Sequence, residues 1–178
     1  RTQASGILPV LGPGSRWIHL LLVWGLFIVP VGLLLAAGYR RGALGRRVGW
    51  LLLPLLPLIA WSAIVLAIGR EWSFVVERWI GSAPILVIAA AALALFADRA
   101  LRRDDNRGLT FALLLVTFAG WLILGCELFF IRDVFGNRMN TVFKLYYQSW
   151  VLLALAGSGG IYCALAALWK PPIAAAAL

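Results

Sequence analysis

Long apolar runs alternate with short charged connections along the whole chain. A helix needs about 20 mostly apolar residues to cross a bilayer. Five segments qualify: 17–38, 48–68, 83–97, 109–130 and 145–169. The third is the shortest, and its approach, Gly81-Ser82-Ala83-Pro84, suits a loop or a first turn, with Pro84 at a first helical position. Pro54 and Pro57 fall inside the second segment, which predicts a kink whose freed backbone groups neighbouring helices satisfy. Between the second and third, Trp72, Val75, Val76, Trp79 and Ile80 recur at helical spacing, with Ser73, Glu77 and Arg78 on the other face. That pattern predicts an amphipathic helix, either flat in the membrane interface or packed on its own bundle. The predicted fold is therefore all-α: a polytopic transmembrane helical bundle of about five spans plus one interfacial amphipathic helix, in a single domain over 1–178.

Composition agrees with the pattern. Hydrophobic residues make up 63% and charged ones 13% of 178 residues. A mean hydropathy of +0.94 excludes an ordinary soluble domain. No ten-residue alternating segments point to a transmembrane barrel. The net charge of +9 does not imply nucleic acid, because the cations sit in short loops at span ends and no basic helix or RNA-binding aromatic motif accompanies them. Residues 1–15 lack the charged and apolar regions of a signal peptide, and the only methionine is Met139, so the chain is expected to be the C-terminal part of a longer membrane protein.

The cations also suggest an orientation. Arg40, Arg41, Arg46, Arg47, Arg99, Arg102, Arg103, Arg107 and Lys170 fall on one side, against Arg1, Arg16, Arg70, Arg78, Arg132, Arg138 and Lys144 on the other. The richer side is assigned to the cytoplasm of a cell-membrane protein, and the connection 131–144 to the outside. Cys126 and Cys163 then lie near opposite faces, too far apart for a disulfide. Trp17, Trp50 and Trp169 begin or end spans as belt residues do, and Ala156 with Gly160 makes a small-residue pair suited to close helix approach.

Polar residues concentrate in Cys126–Trp150, CELFFIRDVFGNRMNTVFKLYYQSW. Glu127 ends an apolar stretch, and charges at such depth are costly unless they face a cavity or a partner. Asp133 follows, then the turn signal Gly136-Asn137, flanked by Arg132 and Arg138. Asn140, Lys144, Tyr147 and Gln148 are spaced as one stripe down the fifth span, expected to face the Glu127 end of the fourth. Arginine forks and a lysine suit a phosphate group. Carboxylates could hold a divalent cation such as Mg or Mn, or orient a hydroxyl, and amides and Tyr could bond sugar hydroxyls. Glu127 and Asp133 are the candidate catalytic acids; Arg132, Arg138, Asn140, Lys144, Tyr147 and Gln148 are the candidate binding residues. The alternative is a polar turn that neutralises itself and only stabilises. His19 stands alone and is given no role.

At Glu127, Asp133, Arg138, Asn140-Thr141, Phe143-Lys144, Tyr146-Tyr147, Gln148 and Trp150, the sequence resembles the "YYY" family of uncharacterised multi-pass membrane proteins of archaea and Chloroflexi. That family is distantly similar to the GT-C glycosyltransferases. The resemblance implies transfer of a sugar from a polyprenyl-phosphate donor on the non-cytoplasmic face, with membrane lipids as surroundings. GT-C enzymes usually carry a catalytic acid in an early outer loop, which this stretch would lack. A transporter or lipid flippase using the same stripe, and a non-catalytic scaffold, are the competing functions. Transport needs polar groups continuing across the span, and below Gln148 there are only Ser149, Ser158 and Tyr162.

The orientation is testable with single cysteines in a background lacking Cys126 and Cys163. An impermeant thiol reagent added outside should label position 136 and spare position 43; the reverse pattern inverts the topology.

Overall fold

The computed structural model describes residues 6–39, 43–102, 106–132 and 137–169. Asp133 and Gly136 lie outside the described residues, as do Arg40, Arg41, Arg103 and Lys170. The element order is β1 (Ile7–Pro9), α1 (Trp17–Gly38), α2 (Ala43–Arg46), α3 (Val48–Leu52), a 3₁₀ turn (Leu53–Leu55), α4 (Leu56–Ala67), α5 (Trp72–Leu101), α6 (Arg107–Leu128), β2 (Phe129–Ile131) and α7 (Met139–Leu168). Five helical stretches, Trp17–Gly38, Val48–Ala67, Trp72–Leu101, Arg107–Leu128 and Met139–Leu168, are long and apolar enough to cross a membrane. The protein is an all-α membrane bundle.

The second span bends where its prolines fall. Pro54 sits in the first positions of the 3₁₀ turn and Pro57 in those of α4. Proline is tolerated in a first turn because its missing N–H has no intrahelical partner there. The span therefore restarts its helix at each proline instead of running through.

α5 departs from the expectation of a flat interfacial helix. Residues 72–80 are the first turns of one continuous helix of 30 residues, and Gly81, Ser82 and Pro84 do not interrupt it. Val75, Arg78, Ser82, Leu86 and Ala89 are all buried. They form one unbroken stripe at three- and four-residue spacing, so the same face that meets the bundle above residue 81 meets it below. Trp72 and Ile80, placed by the sequence on the apolar face, do not meet the bundle and are 63% and 59% exposed. Arg78, placed on the polar face, is 3% exposed.

α6 is the central helix, packed against α5 on one side and α7 on the other, while α1 packs mainly on α7. One core joins α1, α5, α6 and α7 through residues such as Phe27, Leu34, Leu95 and Leu113; a second joins α4, α5 and α6 through Leu58, Trp61, Val75 and Leu124. The α1–α7 contact uses the predicted small pair: Ala156 and Gly160 are buried, and a Cβ on Gly160 would collide with the Pro30 carbonyl oxygen. β1 and β2, unforeseen in the sequence, pair antiparallel with Ile7 opposite Ile131 and Pro9 opposite Phe129.

The glycine contact sets a stability expectation. Gly160→Ala should destabilise by about 1–3 kcal/mol through overpacking. Gly159→Ala is the control, since its Cβ would meet Ala112 at an ordinary 3.6 Å. Thermal unfolding in detergent checks the pair; equal midpoints would mean that the α1–α7 approach is not tight.

Candidate functional site

Glu127 lies in the last turn of α6 and is 3% exposed. Its carboxylate is a hub. Oε2 accepts from the Ser15 amide at 2.9 Å and Oε1 from the Ser15 hydroxyl at 2.6 Å. The Tyr146 hydroxyl donates to Oε1 at 3.1 Å, and Arg138 Nη1 to Oε2 at 3.3 Å. Arg78 Nη1 stands 3.5 Å from Oε2.

Arg78 does a second job. Its Nη1 donates to the Glu127 backbone carbonyl at 2.7 Å, and its Nη2 to the Gly12 carbonyl at 2.6 Å. The Glu127 carbonyl is among the last of α6, which have no partner within the helix; a cation there also complements the helix dipole. The guanidinium lies 5.2 Å from the centroid of the Trp61 ring and 5.9 Å from that of Phe74, a desolvated cation–π arrangement.

These bonds tie residues 6–16 across this end of the bundle as a strap. Trp61 donates its indole N–H to the Val10 carbonyl at 3.2 Å, and Val10 N–H bonds the Leu128 carbonyl at 2.8 Å. Arg138 Nη2 donates to the Ser15 hydroxyl at 3.3 Å.

Of the predicted residues, the structure brings Glu127 and Arg138 together. Arg132 is exposed and Asn140 half-buried. Lys144, Tyr147 and Gln148 are exposed on a different face of α7. The stripe exists, but its phase differs from the expected one: each helical residue turns about 100°, so with Tyr146 on Glu127, Lys144 and Gln148 lie on the far side. Ser15, Arg78 and Tyr146 are the partners that sequence reasoning missed. Arg78 had a signal, since it shares three- and four-residue spacing with Val75 and Ser82.

The fit of a divalent cation can be judged from the donors. Among the described residues, no three His, Cys, Asp or Glu side chains come together. Glu127 Oε1 already accepts from the Ser15 and Tyr146 hydroxyls, and Oε2 from the Ser15 amide and the Arg138 and Arg78 guanidiniums, leaving no open ligand position. The described residues do not fit a metal.

Two cavities open around Trp17. The first, about 320 Å³, lies at the Glu127 end, with Ser15, Arg16, Glu77, Arg78 and Glu127 in its lining. The second, about 380 Å³, is an apolar crevice between α1 and α5, with Trp24, Gly32, Pro84, Ile88 and Gly120 among its walls. It exists because α1 leans on α7 and leaves a gap towards α5. Trp17 lines both. Trp24 packs edge-on to Tyr146, and its buried indole nitrogen has no hydrogen-bond partner among the described residues.

A family model described as "Uncharacterized membrane protein (DUF2298)" matches residues 1–153. No curated protein and no solved structure matches the chain.

The hub predicts unequal costs. Removing one partner of a buried ion pair typically costs about 3–5 kcal/mol, and a partly exposed one about 0.2–1. Glu127→Gln and Arg78→Met should therefore destabilise strongly and Arg138→Ala weakly, its side chain being 27% exposed. Midpoints of unfolding in detergent rank the three, and equal losses would contradict a hub centred on Arg78 and Glu127.

Proposed function

We propose that this chain, which belongs to the uncharacterised membrane protein family DUF2298, binds a lipid-phosphate-linked sugar and serves as the donor-binding part of a membrane glycosyltransferase. The observation that carries the proposal is a pair of cavities that share Trp17 as a wall, one with the charged side chains Arg16, Glu77, Arg78 and Glu127 in its lining and the other apolar. An amphiphile has that shape: a headgroup fits the first space and an isoprenoid or acyl chain the second. The resemblance of Glu127–Trp150 to a GT-C-like family supports the same ligand class.

The residues take revised roles. Arg16 and Arg78 supply positive charge to the cavity wall for a phosphate. Glu127 holds Arg78, Arg138 and the strap in place, a positioning role. Glu77 is exposed and lines the cavity, so it is the acid able to accept a proton. In the transfer, an acceptor hydroxyl attacks the anomeric carbon, its proton passes to Glu77, and the lipid phosphate leaves with the electrons of the broken C–O bond. Asp133 remains a second candidate acid, and Lys144, Tyr147 and Gln148 a surface for acceptor or partner. The polar lining at one end only favours transfer over transport.

In the complete protein, Arg16→Ala should weaken binding of a polyprenyl-phosphate hexose roughly tenfold or more, as for loss of a charge-assisted hydrogen bond. Gly32→Leu should do likewise by filling the crevice, since a Cβ there meets nothing within 4 Å. Glu77→Gln should bind normally and lose turnover. If all three variants bind and turn over like the parent, the site is elsewhere.

A further inference from the structure

α7 packs on α6 with one face and on α1 with another, and a third face is left exposed. Positions 144, 147 and 148, and every seventh residue after each down to 165, are all exposed. A face that repeats every 3.5 residues lies straight along a partner helix crossing at a shallow left-handed angle. Ala154 and Ser158 keep the middle of this seam shallow, and Leu145–Leu168 holds no ionised side chain.

The seam is polar where the other outward faces are not. Over 21–37, 56–67, 83–97 and 109–125, no exposed residue carries a hydroxyl, an amide or a charge. α7 exposes Tyr147, Gln148, Ser158 and Tyr162. Gln148 lies deep. Its neighbour Ser149 bonds the Ala119 carbonyl of α6, about 14 Å along the helix from the end of α6. An amide facing hydrocarbon with nothing to bond costs free energy, so polar side chains at that depth mark helix contacts. Lys144 stands about 15 Å from Ala154 towards the mouth, where crossing helices have diverged and its stem can reach headgroups.

We infer that this face of α7 is the contact between two copies of the chain, paired in parallel about a two-fold axis along the membrane normal. Copies inserted the same way that meet through the same face do so about such an axis, which sets central seam residues against their own counterparts. Groups that both donate and accept satisfy themselves there: the Gln148 amide bonds a second Gln148 amide, and the Tyr162 hydroxyl a second hydroxyl. The Ser158 hydroxyl donates to its own helix at the Leu155 carbonyl, so it packs at the crossing without a further donor to satisfy. A seam free of ionised groups below the mouth suits this meeting of like with like, since a charged position would repel itself. The inference narrows the acceptor-or-partner surface of Lys144, Tyr147 and Gln148 to a partner. It stands without the donor-binding reading, because the seam lies on the far side of α7 from Glu127.

Single-molecule photobleaching tests it by counting copies of the full chain in phosphatidylcholine liposomes over a range of protein-to-lipid ratios, with one fluorophore per chain. The expected result is a monomer–dimer equilibrium that dilution in lipid shifts towards monomer. Gln148→Leu should weaken pairing roughly threefold to twentyfold, the range for an interhelical hydrogen bond in a membrane. Ala154→Phe should abolish pairing by wedging the crossing apart, while Val87→Phe, on the exposed face of α5, should leave it unchanged. Unfolding midpoints in detergent near the parent's show that the variants fold. Should Ala154→Phe not fold, Gln148→Leu, which adds no bulk, carries the test. Monomers at every ratio would assign the face to another helix or to lipid, and overturn the inference. A dimer that Gln148→Leu leaves intact or tightens overturns it as well. No sugar donor enters the count, so its outcome is read separately from that of the donor site.

Discussion

The arrangement of the Glu127 end depends on a buried ion pair that could not stand alone. Two unit charges about 4 Å apart attract by about 4 kcal/mol at an effective dielectric of 20. Desolvating each ion costs several kcal/mol, so the pair by itself does not win. What offsets the deficit is the set of donors around Glu127 and the carbonyl acceptors around Arg78. Ser15 gives two hydrogen bonds, Tyr146 one, and Arg78 reaches two carbonyls. Each of these comes from a different part of the chain. The pair is therefore stable only when the strap, α5, α6 and α7 are all in place, and in turn it fixes where they meet.

That dependence explains why the mouth is polar and the layer below it apolar. At this end Glu127 pairs with Arg78 and Arg138, and Trp61, Phe74 and Val75 pack together next to them. The gap between α1 and α5 lies on the side of α1 away from α7, where the close approach at Gly160 holds it; α5 reaches α1 only towards the end of that helix, where Arg99 donates to the Ala37 and Gly38 carbonyls.

Much of the fold was legible in the sequence. The first span runs 17–38 as read, the second bends at its two prolines, and the Ala156–Gly160 pair sits in a tight helix contact. These features depend on local chemistry: run length, a missing N–H, a missing side chain. The misses depend on phase and on distant partners. The flat-helix reading of 72–80 failed because apolar spacing alone does not say which face meets the bundle, and here Arg78 and Trp79 meet it while Trp72 faces out. The α7 stripe was found, but its direction was set by Tyr146 and Ser149 meeting α6. The strap was missed since ILPVLGPGSRW carries no periodic signal. Its contacts lie on the far side of the chain.

The sequence separation of those contacts has a consequence for biogenesis. Ser15 meets Glu127 across 112 residues, and Arg138 meets Ser15 across 123. While the chain is being threaded into a membrane, the strap can meet Trp61, Arg70 and Arg78 early, but its bonds to Glu127 and Arg138 wait for the end of α6 and the start of α7. Arg78 spends that interval without its carboxylate, able to reach water or lipid phosphate. The mouth is thus the last part to close, and its closure signals that four spans have already found their places.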